Sequence, residues 1–309
     1  MLNQSKKDFK KGSMMILTQI FYDVDNFCKD FKKHLDLHSI PANVSSLLKR
    51  KKRKMTLSDI MTILIYFHHS GYRTFKKYYK ECSDLKGAFD GNISYNRFIE
   101  LIPQALVPLT IFMNLCCKNK CTGYGFIDST KIQVCHNLRI GRNKVFSGIA
   151  ARGKTSTGWF YGFKLHLIIN ECGEIVSFAL TPGNVADNSA SVVTKLAKKC
   201  FGKLWGDRGY ISKTLFKDLF KKGIKLITKL KKNMKNKLME IEDKIGLSKR
   251  GIIESVNGIL KETCQIEHSC HRSPTNFLAN LISGLIAYCF LPKKPSLRGG
   301  FMFNLPENC

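Results

Sequence analysis

The sequence predicts an α/β fold: a mixed five-stranded sheet with flanking helices, preceded by an all-α N-terminal domain. Three observations carry that reading. Apolar positions recur at helix period up to about residue 120. From about residue 123 the texture changes to short β-rich runs separated by Gly-containing turns. Those runs come as three consecutive strands, then helix, strand, helix, strand, helix. At 309 residues and 44% hydrophobic content, the chain is long enough for about two domains with a substantial core. The boundaries fall at 1–120 for the helical domain, 121–295 for the α/β domain and 296–309 for a short tail.

In the N-terminal part, residues 14–40 keep a helical period. Six consecutive cations follow (Lys49, Arg50, Lys51, Lys52, Arg53 and Lys54). Thr56 and Asp59 then have the spacing of a capping box before the apolar run "IMTILIYF", and Gly71 breaks that helix. "FKKYYKEC" alternates cations with aromatics, whose plainest role is core packing. "NISYNRFIELIPQALVPLTIFM" reads as another helix or a pair.

"GYGFIDSTKIQV" alternates as a strand, and "LRIGRNKVFSGIAARGKTSTG" reads as a basic loop. "FYGFKLHLIIN" and "EIVSFALT", joined through a short turn, form a hairpin. "PGNVADN" is a turn that puts Asp187 at the N-cap of a helix over 188–200. "GKLWGDRGY" is a short strand ending in a Gly-rich turn, with a helix over 212–222 behind it. "IKLITKL" is the fifth strand, and a lysine-rich connector leads to the helix "KRGIIESVNGILKETC". This is the ribonuclease H-like order, an antiparallel hairpin extended by parallel strands.

The charge is 51 Lys+Arg against 23 Asp+Glu, a net +28. So large an excess calls for an anionic partner, and nucleic acid is the commonest. The cation run 49–54 is the first candidate contact. The twelve cysteines are scattered and do not form a disulfide framework. No signal peptide is evident, and the run 277–291 reads as a buried terminal helix, too short to span a membrane comfortably. The expectation is a soluble chain in a reducing compartment. "CCKNKC" (Cys116, Cys117, Cys121) and "HSCH" (His268, Cys270, His271) lack zinc-module spacing, so no zinc is expected.

Three acids then draw notice. Asp128 shares a strand face with Phe126, Thr130, Ile132 and Val134, where a carboxylate is costly unless paired or metal-bound. Asp207 sits where the fourth strand ends; turn chemistry alone accounts for it equally well. Glu254 lies opposite the apolar stripe of Ile252, Ile253, Val256, Ile259 and Leu260. By itself it reads as a solvated acid between Arg250 and Lys261. A carboxylate there would nevertheless complete a hard-oxygen site for two Mg²⁺ ions. Asp187 competes as second acid, and Glu240, Glu242 and Asp243 as third; the latter three read as exposed. Tyr210 is a weaker candidate, as a nucleophile.

The blocks "GFIDSTKIQVCHN", "ARGKTSTGWFYGFKLHLIIN", "TPGNVADN", "GDRGYIS", "KNMKNKL", "KRGIIESVNGILK", "EHSCHRSPTNF" and "AYCFLPKKPSL" resemble the catalytic half of bacterial insertion-sequence 982 family transposases, enzymes of the DDE class. "MTILIYFHHSGYRTFKKYYK" and "SYNRFIEL" resemble the same family, so the likeness covers most of the chain. The resemblance implies an acidic triad at Asp128, Asp207 and Glu254, with Lys261 as the lysine of an E-x6-K pattern. It implies two Mg²⁺ ions, with Mn²⁺ as a substitute, and no covalent intermediate.

The implied partners are double-stranded DNA (terminal inverted repeats and target) and further copies of the chain, a homo-oligomer on DNA. No membrane is implied, and the setting is the bacterial cytoplasm, nucleoid-associated when DNA is bound. Candidate DNA contacts beyond residues 49–54 are Arg152, Lys154, Arg208, Arg250, His268, His271 and Arg272. Cys270 stands where the family pattern leads one to expect Arg, which removes a phosphate contact. Two other readings remain: a catalytically decayed DNA-binding copy, and an RNase H-like nuclease or resolvase without strand joining.

Overall fold

The computed structural model describes residues 2–37, 55–89, 93–156, 158–229, 239–267 and 271–297. The cation run 49–54, His268 and Cys270 lie outside them. The chain divides into two units.

The first unit is helical and holds residues up to Cys117 with Leu260–Ile266 and His271–Phe290. Its helices are α1 (Leu2–Leu37), α2 (Leu57–Phe67), α3 (Phe75–Glu81), α4 (Ser83–Ala88), α5 (Tyr95–Phe112) and, from the far end of the chain, α10 (Pro274–Cys289). The expected capping box starts α2. The Thr56 amide donates to Asp59 at 2.7 Å, and the Asp59 amide donates to Thr56 Oγ1 at 3.1 Å. Gly71 takes a φ of +73° after this helix, a backbone form that suits glycine. The aromatics of "FKKYYKEC" pack inward. Phe75 meets Phe67, Tyr78 and Phe98, Tyr78 also meets Phe67, and Tyr78 and Phe98 are fully buried.

The run 277–291 is a buried helix, as expected. It belongs with these helices and not with the α/β unit, because its apolar faces pack on α2 and α5. The stretch Tyr95–Cys117 is long and apolar enough to cross a membrane by length and composition. Its Phe98, Leu101, Ile102, Ala105, Leu109 and Phe112 are buried within this unit.

The second unit holds the sheet. Its strands are β1 (Tyr124–Cys135), β2 (Ala151–Thr155), β3 (Gly158–Ile169), β4 (Ile175–Pro182), β5 (Gly202–Gly206) and β6 (Ile224–Thr228). The order runs β2, β3, β1, β5, β6, with β4 also paired to β3. β1, β2 and β4 each run antiparallel to β3, while β1–β5 and β5–β6 are parallel. The sheet thus has six strands where the sequence suggests five. The extra one, β2, comes from the stretch read as a basic loop: Gly and three polar residues in "ARGKT" hide the alternation. It becomes a strand only through its ladder to the start of β3.

The helices of this unit are α6 (Ala190–Leu196), α7 (Lys213–Phe220), α8 (Ile241–Lys249) and α9 (Gly251–Glu262), of which the last three residues count with the first unit. α6 and α7 cover one face, enclosing Ile127, Ile168, Val193, Leu204, Leu215 and Leu226. On the other face, Phe126 stacks on Trp205 at 5.3 Å. α8 lies against β5 and β6 through Gly246, where a Cβ would come within 2.1 Å of the Trp205 ring. Among the described cysteines Cys172 is disulfide-bonded and the others are free thiols; one crosslink is not a framework.

Candidate active site

Asp128 stands in mid-β1, directly opposite Leu167 of β3. Its side chain shares the face of Phe126 and Ile132, as strand alternation requires. The parallel register pairs Phe126 with Trp205, so Asp207, two residues past Trp205, comes level with Asp128 where β5 ends. Asp207 opens a 3₁₀ turn (Arg208–Tyr210), makes no capping hydrogen bond, and is exposed. Glu254 is exposed on α9 and pairs with the guanidinium of Arg250 one turn earlier. Lys261 lies seven residues on in the same helix.

Asp128 feels the charges of the other two acids. Burial raises the Asp128 carboxyl to about 6, and the charges of Glu254 and Asp207 push the same way; the Ser129 amide and Arg250 oppose them. Among the described residues no three acids, histidines or cysteines are drawn together tightly enough to chelate an ion. The donor chemistry nonetheless fits a hard divalent cation: oxygens only, with one carboxylate raised by burial.

Asn257 is a residue that sequence reasoning missed. It is buried on α9, its Nδ2 donates to Asp128 Oδ2 at 3.1 Å, and its Oδ1 is buried without a hydrogen-bond partner. Its i+3 spacing from Glu254 was a readable signal that it shares the acidic side of the helix.

The competing acids are engaged elsewhere. Asp187 does not cap a helix: α6 begins at Ala190 with Ser189 at the N-cap. Its Oδ1 instead accepts from Ser129 Oγ at 2.6 Å and from Lys164 Nζ at 2.9 Å. The Lys164 side chain is only 9% exposed, and a buried ammonium needs an anionic partner. Glu240, Glu242 and Asp243 are not a uniformly exposed connector either. Glu242 and Asp243 lie in the first turn of α8 and Glu240 just before it, and Asp243 is buried. All three pair with Lys203, and Glu240 and Asp243 also with Lys225, toward the amino ends of β5 and β6. That is the opposite end of β5 from Asp207. Tyr210 is buried, and burial first, then the charges of Asp128 and Asp187, hold its phenol well above the ordinary value. It packs in the core with Ile127, Val193 and Leu215.

Of the candidate DNA contacts, Arg152 and Lys154 are exposed on β2, Arg208 on the turn after Asp207, and Arg272 just before α10. His271 packs edge-on against Phe277.

No curated protein matches the chain. Among solved structures, a cryo-electron-microscopy structure of the piggyBac transposase synaptic complex with hairpin DNA is similar over 80% of this chain and 68% of that one. The identity is 12% and the TM-score 0.44. The family described as "Transposase DDE domain" matches residues 118–274, just over half of the chain. Asp128, Asp207 and Glu254 all fall within that span, and the protein belongs to the DDE-domain transposase family.

Proposed function

We propose that this transposase cuts the ends of its own insertion sequence and joins the freed 3′-OH to target DNA, with Asp128, Asp207 and Glu254 as its catalytic carboxylates. The observation that carries the reading is geometric: the parallel β1–β5 register brings Asp207 level with Asp128, and α9, which carries Glu254, reaches Asp128 through the hydrogen bond from Asn257. These residues would hold two Mg²⁺ ions, or Mn²⁺. Such ions supply the positive charge that clamps attacking and leaving oxygens in phosphodiester displacement. Asn257 and the Ser129 amide orient Asp128. Arg250 holds Glu254 on its helix, and Arg250 and Lys261 provide cations for phosphate. No side chain here forms a covalent link to DNA. A net charge of +28 suits a polyanionic substrate, and holding two element ends at once calls for more than one copy of the chain on DNA.

The test is a strand-transfer assay with full-length protein, Mg²⁺, labelled element-end DNA and a target plasmid. Joined products are expected, and Asp128→Asn should abolish them. Cleavage without joining would instead support a nuclease or resolvase, and binding without cleavage a decayed copy.

A further inference from the structure

Between Asp128 and Glu171 the chain carries no carboxylate and seven cations, which include Arg139, Arg142, Lys144, Arg152 and Lys154. This stretch builds the 3₁₀ segment Asn137–Arg142 and the β2–β3 hairpin. Near the hairpin tip, Lys154 pairs directly across from Trp159, and its ammonium lies 5.6 Å from the indole centre. Trp159 is 61% exposed and Leu138 is 88% exposed, although both belong to residue types that proteins usually bury. The 3₁₀ segment is tied to the hairpin by Asn137 Nδ2, which donates to the Trp159 carbonyl at 2.8 Å. The indole is therefore carried on an ordered element, with a cation on its ring and more cations around it.

Strand alternation puts Trp159 on the face of β3 shared by Tyr161, Phe163, Leu165 and Leu167, and Leu167 is the partner of Asp128. Eight residues separate Trp159 from Leu167, which is about 27 Å along an extended strand. Duplex DNA covers that length in about eight base pairs.

We propose that the β2–β3 hairpin is a DNA-binding platform on which Trp159 wedges against a base step of the element-end duplex and unstacks it locally, roughly eight base pairs from the phosphate held at Asp128. Charge complementarity selects the occupant: an apolar ring in a carboxylate-free, cationic setting suits a base flanked by phosphates and does not suit an acid-poor or basic protein surface. Lys154 keeps the indole electron-rich face engaged with a cation and supplies charge for the adjoining phosphate. The assignment rests on the transposase reading above and adds to it a contact remote from the chemistry.

The chain has two tryptophans, and Trp205 is fully buried, so quenching of indole fluorescence by DNA reports on Trp159. Full-length protein would be titrated with element-end duplexes carrying 2-aminopurine at successive positions. A change in 2-aminopurine emission near the eighth position is expected, together with indole quenching. Trp159→Ala should remove both and weaken binding about tenfold, while Trp159→Phe keeps most of the affinity. Asp128→Asn should keep both signals while losing cleavage.

If Trp159→Ala binds, quenches and cuts like the parent, the platform is wrong and the transposase reading stands. A parent that binds no DNA sinks both. An effect of Trp159→Ala on self-association alone would make the ring a protein contact and overturn the proposal. Signals that appear with target DNA but not with element ends would overturn the assignment to element ends.

Discussion

Asp128 carries its carboxyl in a setting that disfavours the charged form. Its carboxyl titrates near 6, above its ordinary 3.8, chiefly because it is buried. A raised acid is one the folded state prefers protonated. The fold therefore carries no penalty from it below about pH 4, and loses stability as pH rises from there to about 6. Above that the cost stays constant unless a cation offsets it. In the absence of divalent ions, Asp128→Asn should be more stable than the parent at pH 7.5 by about 1–2 kcal/mol, after allowing for partial solvent exposure. The gain should shrink toward zero at pH 4, as read by urea melts at both pH values. Asn257 can accommodate the change by turning its unpartnered Oδ1 toward the new amide. Added Mg²⁺ should stabilise the parent but not Asp128→Asn, and that increment should fade as pH drops through 6, because a protonated carboxyl is a poor ligand.

At the scale of elements, the approach of α8 to β5 depends on one missing side chain. Gly246 sits so close to Trp205 that a Cβ would overlap the indole at 2.1 Å. Trp205 is fully buried between β1 and α8 and cannot yield cheaply. Gly246→Ala should cost about 1–3 kcal/mol, measured by thermal melts. A shift in Trp205 emission would show that the helix has lifted. If stability and emission are both unchanged, α8 does not rest on that ring. The ion cluster of Lys203 and Lys225 with Glu240 and Asp243 anchors the start of α8 on the same two strands. Three acids that compete with Glu254 on paper are therefore joints between a helix and a sheet.

For the whole molecule the net charge decides the behaviour. With +28 over 309 residues, DNA affinity should fall steeply with salt, because every phosphate neutralised releases a counterion. A protein making six to ten phosphate contacts loses about 10³–10⁵ in affinity between 50 and 200 mM salt. Titrations across that range should show a loss of this order; a nearly flat dependence would mean the excess cations face something other than DNA. Arg152→Ala and Lys154→Ala on β2 should each reduce the slope by about one contact if they touch backbone.

Much of this was legible in the sequence. Strand period marked β1 and β3, the capping box marked α2, and the order of elements gave the sheet its topology. The positions of Asp128 and Asp207 followed from their strands, because alternation and register are local properties of an extended chain. What needed tertiary structure was each feature whose cause is a distant partner. β2 has too short and polar a pattern to declare itself and exists by pairing with β3. Asp187 has a sequence suited to a cap, but a buried lysine on β3 claims it. Helix 274–289 follows the α/β segment in sequence and packs with the N-terminal helices, since burial follows apolar surface and not chain order. Asn257 meets Asp128 across 129 residues of sequence. Local periodicity fixes which face a side chain presents; only the folded chain fixes what lies opposite it.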